Sequence, residues 1–185
     1  MFRCLLLSGL SVAISMSSPT VAAQSAHVHG EGQVNIAIDG NHIFMALESP
    51  GADIVGFEHE AHTSDEKAAI TEAIAQLGDP MLLMRFEADA DCEVRSANAE
   101  IEGKHDEHEG EEHAEHDEHE GEELHGAFVA EYEFECADIG ALGFIDFTYF
   151  SQFGNAHSLD VVLIDENGQR SKEIDRANPV LTLKK

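Results

Sequence analysis

Residues 104–124 hold eleven acidic side chains, five histidines and almost nothing apolar. The octapeptide HDEHEGEE stands at 105–112 and again at 116–123, an internal repeat of eleven residues. A stretch of this kind cannot bury enough apolar surface to offset the entropy lost on ordering it. It is therefore expected as a disordered surface loop between two strands, and the folded part has to come from the patterned sequence on either side.

That pattern is mostly of period two. VNIAIDG and NHIFMALE, broken at Asp39-Gly40-Asn41, read as two antiparallel strands joined by a hairpin turn. After the acidic stretch Phe128, Ala130, Tyr132, Phe134 and Cys136 alternate with Glu131, Glu133 and Glu135, one face apolar and the other charged. Further strands are expected within 81–101, at Phe144 to Phe150, Leu159 to Ile164 and Val180 to Leu183, with a hairpin turn at Asp165-Glu166-Asn167-Gly168. Only Thr63 to Leu77 has helical spacing, through Ala68, Ile70, Ile74 and Leu77. Ser64 precedes that run without the following Glu of a capping box, and Gly78-Asp79-Pro80 ends it. The expected fold is α+β: mainly antiparallel strands, one helix, and the acidic insertion between two strands.

The first residues are of another kind. Arg3, the apolar run Cys4 to Ile14 and the small residues of Val21-Ala22-Ala23 have the layout of a signal peptide cleaved after residue 23. The run is shorter than the roughly 20 apolar residues a membrane-spanning helix needs. Residues 24–185 are thus expected as a single periplasmic domain without membrane insertion. In that oxidising compartment Cys92 and Cys136 are expected to form a disulfide that staples the strands across the base of the insertion. A formal net charge of −27 repels nucleic acid and anionic membranes and attracts cations, so nucleic acid is excluded as a partner.

With the cysteines used on each other, a metal site has imidazole and carboxylate to work with. His105, His108, His113, His116 and His119 lie among the acids of the insertion, donors suited to zinc though equally open to copper or nickel. Each binding event there must order the chain afresh, so these are weak sites. A tighter one is expected in the folded part. His27 and His29, alternate residues that share a face on a strand, are the first candidates, and His59, in Gly56-Phe57-Glu58-His59-Glu60-Ala61-His62, is the next. His125, where the insertion gives way to a strand, completes the set, whereas His42, His62 and His157 are expected as surface residues. His59 and His62 are three apart, so the segment is not the zinc-protease motif, which needs four. No phosphate-binding glycine loop or serine elbow is present, and an enzyme is not expected.

The run HVHGEGQVNIAIDGNHIFMALESPGADIVGFEH, the later AEYEFEC and the central His-rich insertion resemble the ZrgA-type periplasmic zinc uptake proteins over essentially the whole exported chain. The resemblance implies capture of Zn2+ for import by an inner-membrane metal transporter. It places function at His27, His29, His59 and His125, with Cys92 and Cys136 as a structural pair. The expected mechanism has two tiers, an insertion that loosely concentrates zinc and a tighter site in the domain. Both need neutral imidazole, so binding is expected to weaken as pH falls through about 6.5. A periplasmic buffer or chaperone for zinc or copper is the alternative, and a metallohydrolase with Glu58 or Glu60 as base is the more distant one.

Overall fold

The computed structural model describes residues 29–102 and 126–183. The expected signal peptide, His27, the insertion with its five histidines, and His125 lie outside these residues.

The chain opens on a hairpin, β1 (Glu31–Asp39) and β2 (His42–Pro50), followed by one helical turn, α1 (Gly51–Ile54). The long helix α2 (Ser64–Leu77), a second single turn α3 (Pro80–Leu83) and the short strand β3 (Arg85–Phe86) lead into β4 (Cys92–Ile101). Beyond the insertion come β5 (Ala127–Cys136), β6 (Phe144–Asp146), a third single turn α4 (Tyr149–Gln152), β7 (Ser158–Asp165), β8 (Gly168–Asp175) and β9 (Val180–Thr182). Six strands form one sheet in the order β4-β5-β2-β1-β7-β8, and β3-β6-β9 form a smaller one. All pairings are antiparallel except β1 with β7.

The alternation in the strands decides what is buried. Val34, Ile36, Ile43, Met45, Leu47, Leu159, Val161 and Leu163 project from β1, β2 and β7 to one side, with Phe128, Ala130, Tyr132, Phe134 and Cys136 from β5. Burying each large apolar side chain contributes about 1.5–3 kcal/mol, and together they bind the helices and the small sheet to this face. The Phe86 ring meets Phe134 edge-on at 4.7 Å, and the Tyr132 hydroxyl donates to the Leu77 carbonyl at 2.7 Å, fastening the end of α2 to β5.

Four details differ from the sequence reading. Ile70, Ala73 and Leu77 are the buried residues of α2, while Ala68 is exposed. Its cap is Thr63 rather than Ser64, and counting from Thr63 puts Glu66 in register for a complete capping box. Phe144 to Phe150 is not one strand: β6 ends at Asp146 and Tyr149–Gln152 turn helically, which buries Tyr149 and Phe150 together. Finally, Cys92 and Cys136 are bonded as expected, but they face each other where β4 begins and β5 ends. The insertion leaves from the other end of this hairpin, beyond the pair Ile101 and Phe128, so the disulfide does not staple its base.

Candidate metal centre

One end of the large sheet gathers nearly all of the metal-type side chains among the described residues that the sequence singled out. It is the end where β1, β5 and β7 start and β2 and β4 finish. Gly30 lies at its centre, with φ +89°. Its amide donates to the Asp53 carboxylate at 2.7 Å, and its carbonyl accepts from the amides of His157 and Ser158, both at 2.9 Å. A methyl group on Gly30 would stand 3.2 Å from Nδ1 of His157, which places that imidazole against the backbone beside His29. The loop carrying His157 is itself fixed, because Arg176 donates to the carbonyls of Phe150, Phe153, Gly154 and Ala156. Asn155 of the same loop donates to the Ala52 carbonyl of α1.

The roots of the insertion reach the same place. The Gly51 amide donates to the Gly126 carbonyl at 3.0 Å, and the Glu102 amide to the Ala127 carbonyl at 2.8 Å. A side chain on Gly51 would fall within 2.9 Å of both the Phe57 and Gly126 carbonyls, so the close approach of these two segments requires glycine there.

His29 and Glu58 form the first donor pair. Nε2 of His29 lies 2.9 Å from Oε2 of Glu58; the imidazole is largely exposed and the carboxylate only 18% so. Two ligands of one tetrahedral zinc, each about 2.0–2.1 Å from it, stand about 3.3 Å apart. A spread of a few tenths of an ångström would convert this hydrogen bond into two coordination bonds. Asp53, held by the Gly30 amide, lies close enough to both members of the pair to feel their charge. Its residue is 2% exposed, and its Oδ2 has no hydrogen-bond partner among the described residues. Burial pushes this carboxyl above its ordinary value, against the opposing pull of the Gly30 amide, His29 and His157.

His59 belongs to a second group. Its ring stacks on Phe57 at 4.9 Å and lies parallel to that of His62 at 6.1 Å, with Nε2 3.9 Å from Oε1 of Glu66. The Glu66 carboxylate accepts from the amides of His62 and Thr63, which holds it below its ordinary value. Beside this group is a hollow of about 440 Å³ floored by Phe57, Ile70, Ile101 and Phe128, with Glu58, His59 and Glu102 at its edge.

Among the described residues, no three His, Cys, Asp or Glu side chains converge as a ready-made cage. His29 and His59 are at the same end of the fold but in different pairs, each with a carboxylate. His42 contacts Glu133 on the sheet, away from both. Sequence reasoning passed over Asp53, an isolated acid in GADI with no histidine beside it. It also set His157 aside, because a lone histidine before a strand shows nothing of the parallel pairing that brings it to Gly30.

No curated protein matches the chain. The model of the ZrgA family zinc uptake proteins matches residues 26–183, which takes in both donor pairs, the insertion and the disulfide. Since the match runs from before His29 to the last strand, the chain belongs to the ZrgA family of zinc uptake proteins.

Proposed function

We propose that this protein is exported to the periplasm, captures zinc there and delivers it to an inner-membrane uptake transporter, by binding and release rather than by catalysis. The observation that carries the reading is the meeting of both roots of the His-rich insertion with His29, Glu58 and His59 at one end of the sheet. An ion loosely held by the insertion is thereby released beside donors that are already paired and positioned, where less ordering entropy opposes binding. His29 and Glu58 supply the first two ligands, and His27, two residues before His29, and His125, next to Gly126, are the neighbours that complete coordination. His59 acts at the mouth of the site with Glu66.

A second reading, a periplasmic buffer that holds zinc or copper without feeding a transporter, draws on the five histidines among the acids of the insertion, donors that suit copper as well as zinc. Growth of a deletion strain separates the two. An uptake protein is required when zinc is chelated from the medium, and its loss then slows growth, with rescue by added zinc. If the deletion strain grows normally in chelated medium and fails only under excess zinc or copper, the buffer reading replaces uptake.

A further inference from the structure

The helices and the small sheet cover one face of the six-stranded sheet, and no described element covers the other. Most side chains on that open face are acidic or small and polar, as its exposure requires, but its centre is not. Register aligns Ile164, Ala37, Phe44 and Glu133 in one row across β7, β1, β2 and β5, and Val162, Asn35, Ala46 and Glu131 in the next. Phe44 and Ile164 are 45% and 49% exposed. Only the methyl of Ala37 stands between them, and strands about 4.8 Å apart leave these two walls about 10 Å from each other. The result is a hollow of about 410 Å³ with an apolar floor, wide enough for one large side chain.

Around it stand Glu131 and Glu133 on β5, Glu48 on β2 and Asp160 on β7. Among the described residues, Arg95 and His42 are basic side chains that contact this face: Glu135 and Glu93 hold Arg95 at 2.8 and 3.3 Å, and Nδ1 of His42 lies 3.2 Å from Glu133. The rim decides what can cover the hollow. A second copy would bring the same carboxylates against it, and the insertion is more acidic still, so like charge opposes both. An anionic bilayer is repelled for the same reason. A protein surface that offers an apolar side chain ringed by lysine or arginine satisfies both the floor and the rim.

We infer that this face is a docking surface for a basic protein partner, which seats one apolar side chain over Ala37, between Phe44 and Ile164, and pairs its cations with Glu131, Glu133 and Asp160. The inference rests on the uptake reading above: the partner is the transporter or a component bound to it. The docking face then adjoins the metal-binding end without sharing residues with it, so that docking and zinc binding are separable by mutation.

The test is zinc accumulation by cells lacking their own copy and complemented with the full chain, either unchanged, as Phe44→Ser/Ile164→Ser, or as Glu131→Lys/Glu133→Lys. Purified proteins are checked in parallel for zinc affinity, thermal midpoint and molar mass. Loss of a central apolar contact should slow accumulation about tenfold in the serine variant, with zinc affinity and thermal midpoint unchanged, and charge reversal should do the same. Accumulation at the unchanged rate in both variants overturns the docking surface while leaving zinc capture intact. A dimer that the serine variant dissolves overturns it as well, because the occupant is then a second copy. If cells lacking the protein accumulate zinc as fast as those that have it, the uptake reading fails and the docking proposal falls with it.

Discussion

At Gly30 three segments meet: the amide is held by Asp53 of α1, the carbonyl by the start of β7, and the preceding residue is His29. A positive φ of 89° disfavours any residue with a side chain, and a methyl group here would press on the His157 imidazole at 3.2 Å. Gly30→Ala should cost about 1–2 kcal/mol in denaturant unfolding, and it should weaken zinc binding further by displacing His29 from Glu58. An unchanged zinc affinity in that variant would separate His29 from the site. Asp53 gives a second prediction. Its carboxyl is raised from the ordinary value of 3.8 chiefly by burial, so the folded state holds its proton to higher pH than the unfolded chain does. Wild-type stability from this group is therefore greatest when it is protonated and declines as pH rises through its folded value. Asp53→Asn keeps an oxygen for the Gly30 amide and carries no charge. In metal-free protein its thermal midpoint should gain on that of the wild type as the pH is raised from 3.5 towards 7, a comparison scanning calorimetry makes directly. Sequence spacing exposed His29 and His59 readily, because histidines near acids stand out in composition. Asp53 and His157 were not legible in the same way, since what makes them notable is that they meet at Gly30, one from α1 and the other from the loop before β7, which no local pattern records.

Between elements, the sequence was most readable where burial alternates strictly. Phe128 to Cys136 went to the core as their spacing indicated, and so did the β1–β2 hairpin. The hairpin turn at 165–168 was read, but the strand after it was not delimited: in β8 GQRSKEID buries only Ile174, because an edge strand is held by its backbone pairing to β7 and needs little apolar content. The helix was legible in position but not in its cap. One residue of shift, from Ser64 to Thr63, separates a missing capping box from a complete one. The disulfide was legible as a pair but not in its place, since strand direction is needed to know which end of the β4–β5 hairpin it closes. That place has a consequence. Cys92 and Cys136 enclose 44 residues of sequence separation, and loss of the bond by Cys92→Ser/Cys136→Ser should cost about 2–4 kcal/mol. The proposed zinc site, at the opposite end of the hairpin, should keep its affinity at temperatures where the variant is folded. Chemical denaturation and zinc titration of the same preparation check both halves, and a parallel fall in affinity would mean that the two ends are coupled.

The whole molecule has a polarity that follows from its strand order. One end carries the disulfide and the hairpin turns of β1–β2 and β7–β8; the other carries both donor pairs and the two roots of the insertion. The predominance of strands over helix was visible in the sequence, because period-two runs outnumber the single helical one. The parallel pairing of β1 with β7, and with it the convergence on Gly30, depends on contacts far apart in the chain. On the proposed reading the insertion supplies the capacity for zinc and the domain supplies the geometry, and this division of labour is its central claim. Calorimetric zinc titration tests it on residues 24–185 and on a version lacking residues 104–124, each with and without His27→Ala, His29→Ala and Glu58→Ala, after circular dichroism shows that the shortened chain folds. The shortened chain should retain one tight site, and the triple change should weaken that site at least about 100-fold in both backgrounds. Tight binding that disappears with residues 104–124 and is indifferent to the triple change would contradict the account and leave the insertion as the receptor.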